Sequence, residues 1–175
     1  MHNILNKTDY NQYQIDCEKW MWMEQYPENI NQIIADIMDF DELTNECIIV
    51  AKKFNWNPNA KYNYPTDSNE KISPLSSAAE FRHIKNIKVL LDNGAVPTNE
   101  DYYSCLIGHS YGDWENCEKI VECITMFDDF GGEFTNNDKY DKYLEENSLE
   151  YWKTHCEFLY NLIRPEILTK SATKL

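Results

Sequence analysis

Apolar residues recur at helical spacing along almost the whole chain. Tyr13, Cys17, Trp20 and Met21 form a first stripe. Pro27 suits a first helical turn, and Ile30, Ile33, Ile34, Ile37 and Met38 then follow an i, i+3, i+4, i+7, i+8 series. Leu43, Cys47, Val50, Ala51 and Phe54 repeat that series after an acidic stretch that suits a helix start. Asn55 to Lys71, rich in Asn and Pro, reads as a long loop. Two short helices are predicted after it. One is capped by Ser73 with Pro74 in its first turn; the other carries Ile84, Ile87, Leu90 and Leu91 and stops at Asn93-Gly94. Trp114, Cys117, Ile120, Val121, Ile124 and Phe127 predict a helix ending before Gly131-Gly132. Leu149, Trp152, Cys156, Leu159, Leu162 and Ile163 predict a last one, broken by Pro165. With only five Gly and six Pro there are too few turns for a sandwich of short strands. The expected fold class is all-α.

The stretch Ser73 to Pro97 resembles an ankyrin repeat, which opens T-P-L-H-x-A and ends L-L-x-x-G-A. Ser73-Pro74-Leu75 falls on T-P-L, Ala78 on the alanine, His83 on the turn histidine, and Leu90 to Ala95 on the repeat's end. Small Ala78 and Ala79 let paired helices approach, and Gly94 permits the positive φ of the turn. Ser76 replaces the motif's histidine and Arg82 the glycine of its turn, which puts the helix–turn geometry in question. Weaker copies flank this repeat: Asn57-Pro58-Asn59-Ala60 upstream, and Gly108 with Gly112-Asp113 downstream. The resemblance implies an ankyrin-like helix-pair stack with non-repeat terminal helices in a single domain, 1–175. Residues 1–42 and 131–175 would cap the repeats of 43–130.

Size and composition fit that reading. A chain of 175 residues with 42% apolar residues closes a core unaided. No apolar run approaches the roughly 18 residues that span a bilayer, and the first residues lack the apolar segment of a secretory signal. A cytoplasmic location is therefore expected, with no membrane partner. Cys17, Cys47, Cys105, Cys117, Cys123 and Cys156 are scattered, with no C-x-x-C. Neither a disulfide framework nor a metal site is expected, and most of the thiols read as buried in a reducing compartment.

The net charge of −14 is unevenly placed. Asp92 to Glu157 holds sixteen acidic residues against four lysines. Such a field argues against nucleic acid, which requires clustered Lys and Arg, and for a basic protein partner. Chemistry finds no footing. His2, His83, His109 and His155 are dispersed, and Cys105 with His109 would pack in a short inner helix. Asp128-Asp129 and Glu145-Glu146 are pairs that any acidic chain provides, and Gly131-Gly132 is too short to cradle a phosphate. No enzyme activity and no cofactor are expected. Trp20 and Trp22 of "WMWM" read as packing residues, whereas aromatic residues beside acids in predicted loops suit an interface. Tyr62, Tyr64, Tyr102, Tyr103, Tyr111 and Trp114 belong to that group. Glu100, Asp101, Tyr102, Tyr103, Asp113, Glu115, Asp128 and Asp129 are the expected partner contacts. Small acidic proteins of this kind look like immunity proteins, which mask the active cleft of a toxin, often a basic nuclease. The alternative expectation is an ankyrin-type adaptor with a second docking surface at Asp9 to Glu24 or Ser148 to Ile163.

Overall fold

The computed structural model describes residues 30, 33–34, 43–63, 71–108, 116–135, 144 and 148–163. The described chain is mostly helical with almost no strand, as the apolar spacing predicts. Helix α1 (Asn45–Lys53) opens at Thr44, whose hydroxyl accepts from the Cys47 N–H at 3.3 Å. Strands β1 (Tyr62–Asn63) and β2 (Lys71–Ile72) pair antiparallel, Tyr62 opposite Ile72. The segment expected to be a loop therefore holds the first strand and the start of the second, and the Tyr62 side chain is buried.

Helix α2 (Pro74–Glu80) starts as its sequence predicts: Ser73 Oγ accepts from the Ser76 N–H at 2.9 Å, and Pro74 fills a position whose N–H needs no partner. Helices α3 (Ile84–Asp92), α4 (Asn99–Ile107), α5 (Cys117–Asp129), α6 (Leu149–His155) and α7 (Glu157–Ile163) follow. The last two were expected as one. Cys156 separates them with φ −149° and ψ 83°, an extended residue inside an unbroken apolar stripe.

Helix α2 packs on α3 and α4, α5 packs on α3 and α4, and α7 joins α6 to α5. Ser76, Ser77, Ala78 and Ala79 are all buried, so the small side chains of α2 face neighbours closely. Helix α1 is tied to α3 by polar side chains. Asn86 Oδ1 accepts from the Leu43 N–H at 2.8 Å, and Asn93 meets Asn45 at 3.1 Å and the Lys52 ammonium at 2.9 Å. One apolar cluster runs from Ile30 to Ile163, with Trp152, Tyr102 and Phe127 among its largest buried members.

Four helices end in the same way. The residue after the cap is left-handed at Asn55 (φ 58°), Arg82 (φ 52°), Gly94 (φ 99°) and Gly131 (φ 80°). The next N–H returns to the carbonyl five residues back: Trp56 to Ala51, His83 to Ala78, Ala95 to Leu90, Gly132 to Phe127, at 2.9 to 3.2 Å. Arg82 thus takes the backbone of the glycine it replaces, at a cost of about 1 kcal/mol. Its buried side chain holds the turn, Nε donating to the Cys105 carbonyl at 3.1 Å. Gly108 makes room for that side chain. A Cβ there would collide with the guanidinium, 2.8 Å from Cζ, and φ 61° with ψ 159° is backbone open essentially to glycine alone.

Candidate functional site

Successive loops are clipped side by side by asparagine side chains. Asn59 donates to the Gly94 carbonyl at 3.0 Å and accepts from the Val96 N–H at 2.8 Å. Asn99 repeats the device one loop further on, donating to the Thr135 carbonyl at 2.8 Å and accepting from its N–H at 2.9 Å. A strand would use its backbone for these bonds; here one amide side chain replaces it. The last clip brings the start of α4 beside the segment that follows α5, and the acidic residues gather along that edge.

The expected contacts divide there. Asp101, Tyr102 and Tyr103 are 1%, 0% and 2% exposed, so these three belong to the interior and are withdrawn as partner contacts. They were read as loop residues, but Thr98 and Asp101 start a helix at that point. The Asp101 carboxylate accepts from the Thr98 N–H at 2.6 Å and its hydroxyl at 2.8 Å. Its other oxygen accepts from Ser76 at 2.5 Å and Ser73 at 3.2 Å, knotting the starts of α2 and α4 together. Burial pushes this carboxyl above the usual carboxylate range, and the hydrogen bonds from Ser76, Thr98 and Ser73 oppose it. Tyr102 and Tyr103 pack around Phe134, with ring centroids 5.5 and 5.2 Å away.

Glu100, Asp128 and Asp129 stand at the surface. Glu100 pairs with Lys61 at 2.5 Å, and Asp128 accepts from the Tyr102 hydroxyl at 2.6 Å. Burial, and then Asp128, pushes the Tyr102 phenol upward, with Asp101 and Glu133 adding to it, so the phenol stays a donor. Asp113 and Glu115 lie outside the described residues, as do Tyr64, Tyr111, Trp114, His109, the tryptophans of "WMWM" and the first helical stripe. Tyr62 is buried.

Two residues at this edge were missed. Glu133 is exposed, and Phe130 is 44% exposed between the acids. Helical spacing would put Phe130 beside buried Phe127, but α5 ends at Asp129 and Phe130, its C-cap, stands exposed. The signal was the Gly131-Gly132 pair that closes the helix. A Cβ on Gly132 would lie 2.6 Å from the Tyr102 hydroxyl, so glycine lets this turn close on α4.

Cys105 is fully buried, which does not suit a nucleophile that must meet substrate. Among the described residues no group of three or more His, Cys, Asp or Glu is placed to hold a metal ion. Among them, too, no helix is long and apolar enough to cross a membrane. No family model matches the chain, and no curated protein or solved structure matches it.

Proposed function

We propose that this chain is a protein-binding inhibitor that neutralises a basic toxin, a nuclease among the fitting classes, by covering its active cleft. One observation carries the reading: an exposed aromatic ring, Phe130, stands among exposed Asp128, Asp129 and Glu133 in a stretch, Ile120 to Thr135, without Lys or Arg. Carboxylates there would take the place of substrate phosphates in a basic groove, and the ring would fill an apolar hollow beside it. The repeated helix endings and the asparagine clips support an ankyrin-like stack of helix pairs, in which the loop edge is the binding edge.

Pull-down of the tagged protein from its native cell at low and high salt tests this, with bound proteins identified by mass. The inhibitor reading expects one small basic protein whose toxicity or nuclease activity is lost on binding. Association should slow steeply as salt rises. Asp129→Lys and Glu133→Lys should each weaken binding, and Phe130→Ala should weaken it by about tenfold or more. Several partners, or one neutral partner indifferent to salt, would overturn it. They would favour an adaptor docking through the α6–α7 region, where Phe158 is 45% exposed.

A further inference from the structure

Four cysteines that are far apart in sequence meet in two pairs. Cys105 of α4 and Cys123 of α5 share a side-chain hydrogen bond in the core, both 0% exposed, with Cys105 Sγ also 3.9 Å from the Ile120 carbonyl. Cys117, the first residue of α5, shares a side-chain hydrogen bond with Cys156, the residue between α6 and α7. These two are only half-buried, at the edge of the apolar cluster where α7 packs on α5. The scattered spacing predicted mostly buried thiols with no disulfide framework; the fold places one pair within reach of solvent.

We propose that Cys117 and Cys156 form an oxidation site, a dithiol that a low-molecular-weight disulfide closes into an intramolecular disulfide fastening the α6–α7 junction to the start of α5. Neighbouring sulfurs on two packed elements can close to the roughly 2.05 Å of an S–S bond. Burial, and then the neighbouring Cys156, push the Cys117 thiol up to about 11. The exchange opens at one of the two sulfurs; a Cys156 thiolate, for example, displaces one glutathione thiolate from oxidised glutathione and leaves a mixed disulfide on Cys156. Cys117 then gives up its proton and attacks Cys156 Sγ, expelling the second glutathione. Two protein thiols and one glutathione disulfide yield one protein disulfide and two glutathione thiols. Cys105 and Cys123 have the same contact, but no oxidant reaches them.

The full chain, incubated with oxidised and reduced glutathione at fixed ratios, quenched, alkylated and digested, tests this by mass spectrometry. A Cys117–Cys156 linked peptide should appear first, with Cys105 and Cys123 modified about tenfold more slowly or less. Cys117→Ser should accumulate a glutathione adduct on Cys156, because the resolving thiol is gone. Cys156→Ser should likewise stop at an adduct on Cys117, with no linked peptide. The oxidised chain should melt at a higher temperature than the reduced one, and Cys117→Ser should abolish that rise. A persistent adduct on the wild-type chain, no linked peptide, or a first linkage through Cys17, Cys47, Cys105 or Cys123 would each overturn the proposal.

Discussion

The interior sulfur pair and the junction pair present the same two atoms in the same kind of contact. Around Cys105 and Cys123 lie α4 and α5, joined by the Tyr102–Asp128 hydrogen bond, with α4 held in turn to α2 by the Asp101 knot and to the turn after α2 by the Arg82 side chain. Around Cys117 and Cys156 lie a helix start and an extended residue, both partly open to water. Burial makes the first pair inert and packing its whole purpose; exposure leaves the second free to react. Contact decides which thiols can pair, and surroundings decide whether they do.

The sharpest way to break this contrast is to open the interior. Gly108→Ala adds a Cβ against the Arg82 guanidinium and forces an L side chain into glycine-only backbone. Strain and overpacking together should cost about 4 kcal/mol in urea unfolding, and Cys105 should become alkylatable. Second in size is oxidation of the junction. Closing Cys117 to Cys156 constrains a long loop of the unfolded chain and should add about 3 kcal/mol, read as a shift in denaturation midpoint. Third is a pair of serine substitutions. Cys123→Ser places a hydroxyl in the core and should cost about 2 kcal/mol, whereas Cys117→Ser at the half-exposed site should cost a few tenths, roughly ±0.5. Equal costs would erase the distinction between the two regions.

The smallest effect is a pH dependence confined to the interior. The Asp101 carboxyl is raised in the folded chain, chiefly by burial. Its contribution is therefore full below the unfolded-state value and is lost as pH rises through the folded one. Wild type should lose stability relative to Asp101→Asn across that acid range, measured as the difference in unfolding midpoints. A difference that grows in favour of wild type with rising pH would mean that the hydrogen bonds outweigh burial.

Local signals in the sequence were reliable wherever the chain's own neighbours decide the outcome. Ser73-Pro74 opens a helix and Asn93-Gly94 closes one, because caps are chemistry between residues a few positions apart. Thr98 and Asp101 carried the same kind of signal, yet the acids of this stretch were read as surface. Acid charge usually means exposure, and only the tertiary approach of Ser73 and Ser76 makes burial of Asp101 tolerable. Arg82 is the reverse case: a residue ill suited to positive φ adopts it because Cys105, far along the chain, accepts its Nε–H. The sulfur pairs, 18 and 39 positions apart, lie beyond any spacing rule. The break at Cys156 is invisible for another reason: an apolar stripe at helical spacing runs through it.

The shared endings of α1, α3 and α5 bear on how such a molecule changes length. Their left-handed residues, Asn55, Gly94 and Gly131, stand 39 and 37 positions apart, and each sends the chain off its helix by the same step. A segment of about that length holds two helices, α2 with α3 and then α4 with α5. Duplicating or deleting the whole segment would lengthen or shorten the protein while every remaining connector kept its direction.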